Sequence, residues 1–163
     1  MSAEYERLLA ENARYVEIFD RPALTAAPLT GMAILTCMDA RIAVEDALGL
    51  RAGDAHIIRN AGGFASADAI RSLVVSQQLL GTREIVVIAH TGCGLHGASE
   101  ADLRSRVAGS TGHETVLEFG AFEDLDAMVA AQVQMLREHP AILDVPIHGL
   151  VYDVRTGILR GVE

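Results

Sequence analysis

The 163-residue sequence predicts an α/β fold, a mainly parallel central sheet flanked by helices with a helical arm ahead of it. Three observations carry this. Short runs such as MAILT (32–36) and EIVVIAH (84–90) are apolar almost throughout, the pattern of strands buried on both faces. Segments with apolar residues at helical spacing separate these runs. The chain closes on IHGLVYDV (147–154), a turn at Arg155-Thr156-Gly157, and ILRGV (158–162), which together read as a β-hairpin.

Residues 3–19 form an amphipathic helix, with Tyr5, Leu8, Leu9, Tyr15, Val16 and Phe19 at helical spacing among Glu4, Glu6, Glu11 and Glu17. Ser2 caps its start, and Pro22 lies just past its end. The loop RPALTAAPLTG (21–31) carries this helix away from the core, to pack on its own domain or to embrace a neighbour. Strand MAILT leads to a helix over IAVEDALGL (42–50), a second strand AHIIR (55–59) and a loop NAGGFAS. In SADAIRSLVVSQQLLG (66–81), Ile70, Leu73, Val74 and Leu80 share one helical face, and Gly81 is the stop. EIVVIAH is the third strand. Ser99 and Asp102 are a capping pair opening a helix over 100–108, and a loop at 109–121 follows. The last helix, EDLDAMVAAQVQMLREH (123–139), is ended by Pro140. Residues 1–163 read as a single domain without repeat, low-complexity tract or linker.

Half of the residues are hydrophobic and the mean hydropathy is +0.27, enough for a sizeable core with apolar surface left for a partner subunit. The 22 acidic residues face 13 arginines and no lysine, and the net charge of −9 argues against nucleic acid and anionic membrane as partners. No apolar run approaches the roughly 20 residues of a membrane span. The N-terminal stretch carries acids where a signal peptide has a basic region, so the expected location is cytoplasmic.

Both cysteines end an apolar run. Cys37 is followed by Asp39 and Arg41, and His90 and Cys93 follow the third strand. Loops at the carboxyl ends of parallel strands are where α/β sheets hold ligands. With the two strands adjacent, two thiols and one imidazole converge. Cys2His is a suitable zinc set with one coordination position left over, the pattern of catalytic sites. Asp39 can reach that position as a ligand or as a hydrogen-bond acceptor. Arg41 has the fork geometry to hold its carboxylate from two sides. A disulfide between Cys37 and Cys93 is the alternative reading of the same residues.

The paired motifs resemble a known family. C-x-D-x-R at Cys37-Met38-Asp39-Ala40-Arg41 and H-x-x-C at His90-Thr91-Gly92-Cys93 look like the zinc signature of β-class carbonic anhydrases. Arg59-Asn60-Ala61-Gly62 resembles that family's RNAG loop, and the likeness continues through SLVVSQQLLGTREIVVIAHTGCG and GLVYDVRTG. The chain's length suits short bacterial and actinobacterial-type members. The resemblance implies strand order 2-1-3-4 with a fifth strand at the edge, and one Zn2+ per chain held by Cys37, His90 and Cys93. It implies a homodimer, extendable to a tetramer, in which residues 1–31 form the arm lying across the partner. It also implies reversible hydration of carbon dioxide to bicarbonate and a proton by a zinc-bound hydroxide that Asp39 orients. In a closed form Asp39 becomes a metal ligand itself, and Arg41 switches the states by holding or releasing it. Ala61, Gly62 and Gly94 are the substrate-binding positions it implies.

Plant-type members use a glutamine and aromatic residues ahead of the first cysteine. Residues 1–36 here contain no glutamine or tryptophan, although Tyr15 and Phe19 are available. Relatives on this scaffold hydrolyse carbon disulfide or carbonyl sulfide, linear molecules like carbon dioxide. A zinc-stabilised scaffold or sensor permanently closed by Asp39 is a further reading. A nucleotide-binding module is disfavoured because CMDARIAV, with no G-x-G-x-x-G or P-loop, follows the first strand. Gly62, Gly63, Gly92 and Gly94 read as tight-turn positions beside the metal. His96 reads as a solvated loop residue, with a proton relay as the alternative. His56, His113, His139 and His148 have no motif around them.

Overall fold

The computed structural model describes residues 2–162. Strands β1 (Met32–Cys37), β2 (Ala55–Asn60), β3 (Glu84–His90), β4 (Ile147–Tyr152) and β5 (Leu159–Val162) form one sheet in the order β2-β1-β3-β4-β5. The first four are parallel, and β5 returns antiparallel to β4 around the Asp153–Gly157 turn. The helices are α1 (Ala3–Glu17), α2 (Val44–Leu48), α3 (Ala67–Leu80), α4 (Glu100–Thr111) and α5 (Leu125–Glu138).

Burial explains the order of the strands. From Ala33 to Cys37 and from Ile85 to His90 every residue of β1 and β3 is buried, so both must lie inside the sheet with layers on each side. Ala33, Leu35, Ile85 and Val87 face α3 and α5, where Ala69, Leu73, Val133 and Leu136 complete one core. Ile34, Val86 and Ile88 face the other way, against Ile42, Val44 and the partly buried Leu48 and Leu50. β2 is only half-buried, as suits an edge strand.

The helix ends differ from the sequence reading at α1, α2, α4 and α5, the last running only from Leu125, behind its Asp124 cap, to Glu138. The segment 42–50 is helical only over Val44–Leu48, because Ile42 and Leu50 leave the helix to pack in the core. α4 continues past 108 to Thr111, since its interior tolerates Gly109. It stops where Gly112 takes a left-handed φ of 74°. α1 ends at Glu17 instead of residue 19. Ser2 caps α1 as expected, its Oγ accepting the Tyr5 N–H at 3.2 Å. Neither α1 nor α4 contains a buried residue. No helix of the described residues is long and apolar enough to cross a membrane.

Leu73 is fully buried between α3 and the sheet. Its replacement by alanine is expected to lower the unfolding free energy by about 3 kcal/mol, measured by urea denaturation. A loss below about 1 kcal/mol would show that the α3 layer closes over the gap.

Candidate metal centre

The parallel register brings the chemistry to one edge. Thr36 pairs with Ile88, so Cys37 leaves β1 within one residue of the level at which β3 delivers His90, and Cys93 follows after one tight turn. The Cys37 and Cys93 Sγ atoms and a ring nitrogen of His90 all lie within 4.8 Å of one another. All three residues are buried, and both thiols are free, so the disulfide reading does not hold in this structure.

Each donor is prepared by its surroundings. His90 Nδ1 lies 3.1 Å from the Thr91 carbonyl, which can only accept, so the proton sits on Nδ1 and Nε2 carries the lone pair. Nε2 is buried without a hydrogen-bond partner. Such an orphan is costly unless something at the site takes its lone pair. Burial pushes His90 below the ordinary imidazole range, which keeps it neutral at neutral pH. Burial, and then the neighbouring Cys37, pushes the Cys93 thiol up. The donor set fits a soft divalent cation, which would displace the thiol protons on binding.

Asp39 stands beside this triangle, with Oδ2 3.8 Å from His90 Nε2. Arg41 holds it in a fork: Nε donates to Oδ1 at 2.9 Å, Nη2 donates to Oδ2 at 2.7 Å, and the Arg41 backbone N–H adds a third bond to Oδ1 at 2.9 Å. These bonds hold the Asp39 carboxyl far below the usual carboxylate range, so it is ionised at every working pH. The Arg41 side chain is 51% exposed, so screening leaves the pair little weight in stability. Its effect is orientation. Nη2 also donates to the Gly92 carbonyl at 2.9 Å, linking the loop after β1 to the loop after β3.

The Arg59-Asn60-Ala61-Gly62 segment runs from the end of β2 into a 3-10 turn over Ala61–Gly63. Asn60 closes it from both sides, donating Nδ2 to the Phe64 carbonyl and accepting the Phe64 N–H on Oδ1. A Cβ at Gly63 would lie 3.1 Å from the Cys37 nitrogen and the Thr36 carbonyl carbon, and its φ is +72°. Only glycine lets this loop lie against the backbone that carries Cys37. Ala61 is exposed, Gly62 is buried within the same turn, and Gly94 is exposed with open space around it.

A further group of contacts was not legible in the sequence. The Glu100 carboxylate accepts the backbone N–H groups of Phe119, Gly120 and Ala121 at 3.1, 2.8 and 3.0 Å. The next residue, Phe122, stacks on His96 with ring centroids 5.3 Å apart and meets the edge of Phe64 at 6.3 Å. His96 is exposed, and its Nε2 is held 2.8 Å from the Glu123 carbonyl. An acid in the first turn of α4 is the sole sequence trace of this arrangement, and such acids are common without it.

Fold and site together define an α/β protein with a buried Cys2His triad placed to bind a metal at the carboxyl edge of a parallel sheet. Residues 32–159 match the family model for carbonic anhydrase. The chain is 37% identical over 155 residues to β-carbonic anhydrase 1 of Mycobacterium tuberculosis, covering 94% of each. The carbonic anhydrase structure from Streptococcus mutans superposes with a TM-score of 0.95 at 39% identity, over 100% of this chain and 99% of that one. A carbon disulfide hydrolase of Acidithiobacillus thiooxidans is 39% identical over 148 residues, 78% of this chain and 74% of the relative. The chain belongs to the β-carbonic anhydrase family.

Replacing Gly63 with alanine is expected to lower the unfolding free energy by about 2 kcal/mol, from the left-handed φ and the backbone contact together. Denaturant melts measure it. An unchanged midpoint would mean that the loop can lift off β1 at no cost.

Proposed function

We propose that the protein catalyses the reversible hydration of carbon dioxide to bicarbonate and a proton, with one zinc ion held by Cys37, His90 and Cys93. The observation that carries this is the orphaned Nε2 of His90 facing two free thiols within 4.8 Å, beside a carboxylate held by arginine. Two soft sulfurs and one imidazole favour zinc over the hard cations. Bound there, zinc supplies a water with its pKa lowered to about 7.

The chain's own residues do the rest. Asp39 is ionised and acceptor-only, so it orients the attacking water by accepting a hydrogen bond from its O–H. Arg41 keeps that carboxylate turned from the ligand triangle. Released from Arg41, Asp39 can close the fourth position and silence the site. Ala61, Gly62 and Gly94 form the floor on which the small linear substrate rests, and the exposed Gly94 leaves room for it.

Two copies complete the protein, and two such dimers can pair into a tetramer. α1 presents Tyr5, Leu8, Leu9, Tyr15 and Val16 to solvent in a single chain, and a 15-residue helix with no packing is marginal in water. Residues 1–31 are the arm that lies across the partner, and the whole chain is one domain. A second substrate reading, hydrolysis of carbon disulfide, is favoured by the relative of that name at 39% identity.

Stopped-flow assays on zinc-replete protein are expected to show carbon dioxide hydration that rises steeply from near-neutral to alkaline pH. Asp39 stays ionised throughout, whereas proton loss from the attacking water grows with pH, so the water gains on Asp39 as pH rises. Flat activity over that range would rule out the closed form. No hydration at either pH, with zinc bound and carbon disulfide consumed, would move the assignment to the sulfur substrate. Arg41→Ala is expected to lower kcat/KM at near-neutral pH by about tenfold or more and to recover partly in alkali. Equal activity in that variant would remove Arg41 from the mechanism. Removing residues 2–19 is expected to convert a dimer into monomers in sedimentation velocity. A dimer that survives the deletion would place the contact elsewhere.

A further inference from the structure

Arg59 stands at the end of β2, level with Thr36 of β1, and reaches over the turn that follows Cys37. Its Nε donates to the Cys37 carbonyl at 2.9 Å, Nη2 donates to the Asp39 carbonyl at 2.6 Å, and Nη1 donates to the Ile42 carbonyl at 3.2 Å. Among the described residues no carboxylate pairs with it, although the chain carries 22 acids. The turn therefore wraps around a guanidinium.

The reason lies in the backbone. β1 ends at Cys37, and the carbonyls of Cys37, Asp39 and Ile42 lie at or beyond that end; the Asp39 carbonyl accepts one backbone donor, the Ile42 N–H at 3.1 Å, and has a lone pair left. The last strand-like bond is Met38 N–H to the Asn60 carbonyl at 2.9 Å. Carbonyls in that position need donors. A planar fork with five N–H groups spans three acceptors at once, which the single nitrogen of a lysine cannot do.

We propose that Arg59 is the positioning residue of the metal centre, fixing the main chain of Cys37 and Asp39 so that the first ligand and the carboxylate keep their places. This rests on the reading of Cys37, His90 and Cys93 as a zinc site. The two arginines divide the work. Arg41 grips the Asp39 side chain, and Arg59 grips its peptide. Asp39 consequently moves its carboxylate by side-chain rotation alone, because its backbone is pinned. Partners of this kind, one bond beyond the ligands, govern metal affinity strongly when they are lost.

The test is zinc competition against a chromophoric chelator on the full chain, with zinc per chain measured independently. Arg59→Gln is expected to weaken zinc binding about ten- to a hundredfold. Arg59→Lys, which keeps the charge but reaches fewer carbonyls, is expected to fall between. His56→Ala, which removes hydrogen bonds from the same strand on its way to Ala26 and Ser76, is expected to leave affinity unchanged. Thermal melts of the metal-free proteins separate a structural role, which would lower the melting temperature and leave the affinity of the folded protein intact. That result overturns the proposal, as does an equal loss in His56→Ala.

Where Arg59→Gln does not fold, cobalt replaces zinc in Arg59→Lys. A shifted sulfur-to-cobalt absorption supports the proposal, and a spectrum identical to that of the unsubstituted protein overturns it. An unsubstituted protein that binds no zinc would instead overturn the metal reading itself, whereas zinc bound equally by all variants would overturn only the role of Arg59.

Discussion

Everything at the site follows from the adjacency of β1 and β3. Both strands are buried on both faces, so each requires a neighbour on either side and packing above and below, from α3 and α5 on one face and from α2 with its flanking loops on the other. Parallel pairing then sets their carboxyl ends side by side, and residues far apart in sequence meet without a long loop. The strands supply Cys37 and His90 from rigid backbone. Only Cys93, Asp39 and Arg41 come from loops, and each is tied back: Asp39 to Arg41, Arg41 to Gly92, and Cys93 through its carbonyl, which accepts the His96 N–H. A substitution that slipped β1 against β3 by one residue would turn Cys37 to the opposite face and dismantle the centre.

What could be read from the sequence was the part that depends on residue identity. Cys37, His90 and Cys93 each stand after an apolar run and carry soft or borderline donors, so both their place and their chemistry were visible. The Asp39–Arg41 fork was visible in the two-residue spacing. The sheet order agrees with the family resemblance rather than with any local pattern, since periodicity marks strands but does not rank them. The contacts of Arg59 and Glu100 were hidden for one reason. Their partners are main-chain carbonyls and N–H groups, which every residue has, so nothing in the sequence points to them. The helix at 42–50 shrank to five residues, with Ile42 and Leu50 packed on the core from outside it, tertiary packing overriding a weak local preference.

The protonation states around the centre pull in opposite directions. Burial keeps His90 neutral and ready as a donor, yet it raises the Cys93 thiol and so holds back the thiolate that a metal requires. Loading is therefore coupled to proton release and becomes more favourable as pH rises. In a chain of net charge −9, the cations that matter converge on one turn, Arg41 from within it and Arg59 from the end of β2, and both are arginines whose planar donors suit fixed geometry.

The stretch from Glu100 to Ala121 has a different relation to the fold. α4 buries no residue, and the loop beyond it is drawn back by one carboxylate that catches three consecutive N–H groups. Between those two anchor points the chain contributes nothing to either core. Length is cheap there: loop-closure entropy grows only slowly with added residues, and the Glu100 clasp seals the excursion at its base. This is the segment in which the fold can accept an inserted peptide, a reporter or an added module while the sheet edge that carries the donors stays unchanged.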